Sequence, residues 1–233
     1  MSREIYRSRE LEISGDGIVE IFQSEKFKKK IFGIADKLRN SDEYYESGFV
    51  VVKGLRAKSF DFATHMDVDY YSTGLGEKGL VRYNRLLEQK KIPIINLHFH
   101  KPNYWSDKYE RSSYMPSKED LSNLFYFRED IIKTLNLDGF PLGVISWVKG
   151  PSNIEMLVYQ ASLLSPTGYR TFMDYEACVK QCRSKEEITE TLNDYGYKAS
   201  FVNYSREGFS EDDKQKLNSF NLKLKSLNLN PTK

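Results

Sequence analysis

The chain has 233 residues and a net charge of +2, enough for one large domain or one domain with extensions. Near-neutrality gives no electrostatic case for nucleic acid as a partner. No apolar run approaches the roughly 20 residues that span a bilayer, and the polar start Met1-Ser2-Arg3-Glu4 lacks an apolar signal region, so the sequence reads as a soluble cytoplasmic protein with no membrane partner.

Taken in order, Glu4 to Glu20 alternates loosely around Gly15-Asp16-Gly17 and predicts a β-hairpin. Ser24 to Leu38 carries Phe27, Ile31, Phe32, Ile34, Ala35 and Leu38 at helical spacing, with Ser24 as N-cap and Lys28, Lys29 and Lys30 on the wet face. Asn40-Ser41-Asp42 ends it. Phe49-Val50-Val51-Val52 is a short continuous apolar run, a buried strand closed by Gly54, and a second strand follows around Ser59 to Ala63. The polar stretch from Thr64 to Lys90 turns helical from Tyr83 to Glu88.

Ile94-Ile95-Asn96-Leu97-His98-Phe99-His100 reads as a buried strand stopped by Lys101-Pro102, because proline cannot extend a ladder. Asn103 to Met115 is polar and aromatic without a period and predicts a loop. Ser117 is an N-cap for a helix running to about Leu135. Strands follow at Leu142–Val148 and Ile154–Leu163, joined by the turn Gly150-Pro151-Ser152-Asn153. Ser165-Pro166-Thr167-Gly168 looks like a domain break. Beyond it Asp174–Cys182, Lys185–Leu192 and Glu211–Leu227 look helical. The expected architecture is α+β: a mixed sheet flanked by helices over residues 1–164, with an N-terminal hairpin, and a C-terminal helical extension over 165–233.

The chemistry concentrates around the His-x-His strand. Residues two apart on a strand share a face, so His98 and His100 present two imidazoles side by side with Phe99 opposite. Asp120, one turn into the next helix, supplies a third ligand. Two nitrogens, a carboxylate oxygen and water make the open tetrahedron of a catalytic zinc site. Zinc held this way brings the pKa of water towards about 7. A carboxylate from another element then takes the proton, and a serine hydroxyl donates to the developing oxyanion.

His98-Phe99-His100-Lys101-Pro102 followed by Pro116-Ser117-Lys118-Glu119-Asp120-Leu121, with Glu46-Ser47-Gly48 ahead of the Phe49–Val52 strand, resembles the JAMM (MPN+, JAB1-type) metalloprotease family. The resemblance covers roughly Val19 to Leu164. It implies a JAB/MPN-like sheet flanked by helices, in a cytidine-deaminase-like arrangement. It implies cleavage of peptide or isopeptide bonds, often at the tail of a ubiquitin-like protein, which is then the partner expected here. Carried over residue by residue, it makes Glu46 the base, His98, His100 and Asp120 the zinc ligands, and Ser117 the oxyanion donor. Glu43, in the same acidic tract, is the rival to Glu46. The chain departs from the family pattern in Phe99 between the histidines, in Lys101 ahead of Pro102, and in a longer gap to Ser117. That longer gap carries Tyr104 and Trp105, candidates for substrate contact.

The same residues admit other readings. Amidohydrolase and PHP-type barrels also open on His-x-His, but they need histidines downstream, and none follows His100. An MPN-like scaffold that binds protein partners without catalysis is the alternative function. His65 has no partner at metal-ligand spacing and reads as a surface or loop residue. Cys178 and Cys182, four apart, read as buried thiols rather than a disulfide or a metal pair.

Overall fold

The computed structural model describes residues 11–40, 47–54, 57, 59–66, 77–100, 115–161, 175, 178 and 181–227. Among them the elements run β1 (Leu11–Ile13), α1 (Gly15–Gln23), α2 (Glu25–Arg39), β2 (Ser47–Gly54), β3 (Phe60–Met66), α3 (Glu77–Glu88) and β4 (Lys91–Phe99). They continue with α4 (Lys118–Leu135), β5 (Leu137–Asp138), β6 (Leu142–Val148), β7 (Asn153–Ala161), α5 (Lys185–Asp194), β8 (Tyr197–Ser205), α6 (Glu211–Asn218) and β9 (Leu222–Ser226). A six-stranded sheet in the order β3-β2-β4-β6-β7-β8 forms the body, and a three-stranded sheet β1-β9-β5 lies apart from it. The β4–β6 pair is parallel and the other pairs of the large sheet are antiparallel, so the sheet is mixed.

The apolar run Phe49–Val52 is buried throughout because β2 is covered on both faces. Phe49 and Val51 join one cluster with Phe27, Ile31 and Phe32 of α2. Val50 and Val52 join another with Tyr83 and Leu86 of α3 and Phe127 of α4. Strand β4 alternates in the same way. Ile95, Leu97 and Phe99 enter the α2-side core, which leaves Asn96 and His98 to the opposite face, both buried. The helices start where their caps say. Ser24 Oγ accepts from Phe27 N at 3.2 Å, Ser184 Oγ from Glu187 N at 3.1 Å, and Ser210 Oγ from Asp213 N at 3.2 Å.

Three expectations are corrected. Residues 15–20 are not the second arm of a hairpin; they lie in helix α1. Ser14 caps it, its Oγ accepting from Gly17 N at 3.3 Å, and Ile18, Val19, Ile21 and Phe22 form its buried stripe. The glycine at its start permits a close crossing: a Cβ on Gly15 would lie 2.2 Å from Asn218 O of α6. Secondly, the C-terminal region is not a helical extension. Strand β8 pairs with β7 along Asn153↔Ser205 to Ala161↔Tyr197 and forms an edge of the main sheet. Tyr204 donates its hydroxyl to Phe22 O of α1, and Val202 and Tyr204 join the same core as Phe22, Phe27 and Phe49. Thirdly, the helix expected over Glu211–Leu227 ends at Asn218, and Leu222–Ser226 is a strand between β1 and β5.

Of the helix expected at Asp174–Cys182, the described residues are Tyr175 and Cys178, both helical, and Gln181 and Cys182, which lie outside a helix. Cys182 is buried, as expected, but Cys178 is exposed; both are free. His65 stands in β3 opposite Gly48 rather than in a loop. The break at Ser165–Gly168 and the loop residues 103–114 lie outside the described residues.

Candidate metal centre

The site is assembled by a strand end and a helix start that meet above one face of the sheet. Strand β4 delivers His98 and His100 at its carboxyl end, the end at which α/β sheets bind ligands. Its register is held on both sides, by Gly48 on β2 and by Ile145 on β6. His100 N donates to Ser146 O at 2.9 Å, which carries the pairing one residue beyond the strand.

Helix α4 delivers Asp120. Its start is a capping box: Ser117 Oγ accepts from Asp120 N at 3.1 Å, and Asp120 Oδ2 accepts from Ser117 N at 2.7 Å. The helix is anchored by the buried Leu121, Leu124, Phe127 and Ile131. Its far end is tied down by the two-pronged ion pair of Arg128 with Asp138, at 2.5 and 2.8 Å. The i, i+3 spacing of the cap therefore fixes the carboxylate as well as the helix.

These elements bring the three expected ligands together. His98 Nε2 and His100 Nε2 are 2.9 Å apart. Asp120 Oδ1 lies 3.1 Å from His98 Nε2, and Oδ2 lies 3.7 Å from His100 Nε2. The three ligand atoms fall within 4.8 Å of one another. Bonds of about 2.0–2.1 Å put ligand atoms roughly 3.3–3.5 Å apart around a tetrahedral zinc, and the donor distances of 2.9, 3.1 and 3.7 Å lie to either side of that spacing. The donor set fits a metal ion in chemistry too. Two imidazole nitrogens and a carboxylate face one another in a nearly dry place, a donor set that could hold a metal ion.

Burial alone would push the Asp120 carboxyl up. The two histidines outweigh it and hold the group well below the usual carboxylate range, so it stays ionised. The side chains of His98 and Asp120 are 5% and 2% exposed, whereas that of His100 is 14% exposed. The approach from solvent is therefore on the His100 side. Ser117 is exposed, so its hydroxyl reaches solvent beside the ligand carboxylate. Accepting the cap bond leaves its own proton free, because a hydroxyl carries one donor and two acceptor positions. Capping and oxyanion donation are thus compatible in Ser117. Glu119, its neighbour, faces solvent.

Sequence reasoning missed the aromatic bed under the ligands. Trp147 of β6 stands edge-on to His100, with ring centroids 6.1 Å apart. Tyr175 donates its hydroxyl to Pro116 O at 3.0 Å and fixes the residue ahead of Ser117. Tyr159 is fully buried in the same cluster as Leu121 and Trp147. Strand β6 is buried on both faces, so no polar alternation marks the face that Trp147 takes, and only the β4–β6 pairing sets it beside His100. Glu46, its rival Glu43, and the expected substrate contacts Tyr104 and Trp105 lie outside the described residues. In comparison with known proteins, no family model, no curated protein and no solved structure matches the chain.

Proposed function

We propose that this protein is a zinc-dependent hydrolase of peptide or isopeptide bonds, of the JAMM type and with a JAB/MPN-like fold, acting at the C-terminal tail of a ubiquitin-like protein in the cytoplasm. The observation that carries the reading is the convergence of His98, His100 and Asp120 from two separate elements into one ligand set. No described helix is long and apolar enough to cross a membrane.

A zinc ion held there would supply Lewis acidity, activating water at neutral pH and polarising a scissile carbonyl. The chain's own groups do the rest. His98 and His100 bind through Nε2, and the capping box aims the Asp120 carboxylate at them. The exposed Ser117 hydroxyl donates to the oxyanion that develops on the substrate carbonyl. Glu46 is the general base that takes a proton from the attacking water and returns it to the leaving amine. Its role is supported by the register of β2: Ser47 pairs with Phe99, so the chain enters the sheet beside the histidine end of β4. Tyr104 and Trp105 follow His100 closely in sequence, which supports them as substrate contacts.

The test is a paired measurement of zinc content and of hydrolysis of a ubiquitin-like tail substrate. Glu46→Gln is expected to keep zinc and fold while turnover falls on the order of a hundredfold or more, with Glu43→Gln near wild type. A dead Glu43→Gln would move the base three residues upstream. A zinc-loaded wild type with no hydrolysis would favour a partner-binding scaffold.

A further inference from the structure

The face of the sheet that carries His98 also holds a buried polar group that the hydrolase reading does not use. Cross-strand partners point to the same face of a sheet. The pairings Asn96↔Gly143 and Gly143↔Tyr159 put Tyr159 of β7 in one row with Gly143 of β6 and Asn96 of β4. Asn96 is two residues ahead of His98, so that row lies on the metal face, one step from the ligand. A Cβ on Gly143 would lie 2.2 Å from Tyr159 Cζ and 2.6 Å from its hydroxyl oxygen. The ring therefore occupies the space that any side chain at Gly143 would need. Its hydroxyl end reaches over β6 towards β4, the strand that carries the histidines.

That hydroxyl is fully buried and, among the described residues, has no hydrogen-bond partner. Around it the cluster is largely apolar, with Leu121, Leu124, Ile145 and Leu157. A phenol left without a bond in such a place is a net cost to the fold, so its retention points to a role. Burial first, and then the charge of Asp120, push the phenol well above its ordinary range. It is thus a neutral O–H donor and not a phenolate ligand. Tyr197 offers a contrast in the same cluster. Its hydroxyl is likewise buried and unpartnered, but only burial raises it, with no contribution from Asp120.

We propose that Tyr159 is a positioning residue for the metal centre, its buried hydroxyl donating through one trapped water to the Asp120 carboxylate and holding that ligand in place. The inference rests on the metal-centre reading and is independent of which bond the protein cleaves. Buried water is the usual partner of an otherwise unsatisfied polar group. Donors behind metal ligands fix ligand orientation and basicity, and removing one costs about 10–100-fold in metal affinity.

The test compares Tyr159→Phe and Tyr197→Phe, each deleting one buried hydroxyl and nothing else. Zinc affinity is read by competition with a chelator, the cobalt-substituted protein by its visible absorption, and the metal-free protein by its melting curve. Tyr159→Phe is expected to bind zinc about tenfold or more weakly, with a changed cobalt spectrum and an unimpaired metal-free melt. Tyr197→Phe is expected to match wild type in affinity and spectrum. Wild-type affinity and spectrum in Tyr159→Phe would overturn the proposal, as would equal weakening in both variants or an unfolded Tyr159→Phe. Failure of the wild type to bind zinc would instead remove the metal centre itself, and binding without hydrolysis would leave this inference standing.

Discussion

Replacing Asp120 with alanine is expected to abolish tight metal binding and to destabilise even the metal-free protein. Two losses combine. The carboxylate accepts the Ser117 N–H at 2.7 Å, and removing a cap interaction costs about 1 kcal/mol. It also faces His98 Nε2 at 3.1 Å in a nearly dry site, and leaving that buried imidazole without its acceptor costs about 1–3 kcal/mol. The expected total is roughly 2–4 kcal/mol, readable by denaturant unfolding in the presence of a chelator. Asp120→Asn separates the two roles. Its amide oxygen still accepts the Ser117 N–H, so most of the stability should remain, while the lost charge should still weaken metal binding. An alanine variant with wild-type stability would mean that the capping box contributes nothing to the fold.

A chain ending at Leu164 is expected not to fold, the largest effect anticipated for any change. It would strip β8 from β7 and expose a long, apolar strand edge. It would also remove Val202, Leu217, Phe220, Leu222 and Leu224, all at most 1% exposed. At about 1.5–3 kcal/mol for each such side chain, the loss is comparable to the whole stability of an ordinary domain, about 5–15 kcal/mol. Circular dichroism and one-dimensional NMR of the shortened chain would decide the matter. A cooperative melt and dispersed amide signals would show that the first 164 residues carry a core of their own.

The metal centre was legible in the sequence because its determinants are local. His98 and His100 share a face through the two-residue period of a strand, and Ser117 and Asp120 meet through the three-residue reach of a capping box. Neither needs knowledge of distant pairing. The buried run Phe49–Val52 and the capped helices were legible for the same reason.

The misread elements are those where a local pattern had two solutions. Leu217, Phe220, Leu224 and Leu227 sit at helical spacing and prolonged α6 on paper. The competing alternation of buried Leu222 and Leu224 with exposed Lys223 and Lys225 is what the fold uses. Gly15-Asp16-Gly17 carries turn chemistry, and Ile18, Val19 and Ile21 have strand propensity. The cap on Ser14 and the packing of α1 against α6 override both. Strand β8 mixes lysine, serine and asparagine with aromatic residues, and only Tyr197, Val202 and Tyr204 are buried. Its apolar pattern is too sparse to mark it without β7 alongside. The aromatic bed of Trp147, Tyr159 and Tyr175 was invisible for a further reason. It depends on β4 and β6 being neighbours in the sheet although α4 separates them in the chain.

His98, His100 and Asp120 are expected to hold one metal ion. The most direct measurement is a calorimetric zinc titration of metal-free wild type and of His98→Ala, with circular dichroism confirming that both are folded. The wild type is expected to bind one zinc per chain, more weakly at acid pH because metal binding displaces protons from its ligands, and the variant is expected to show no tight binding. A folded wild type that takes up no zinc, or a His98→Ala protein that binds it as well as wild type, would contradict it.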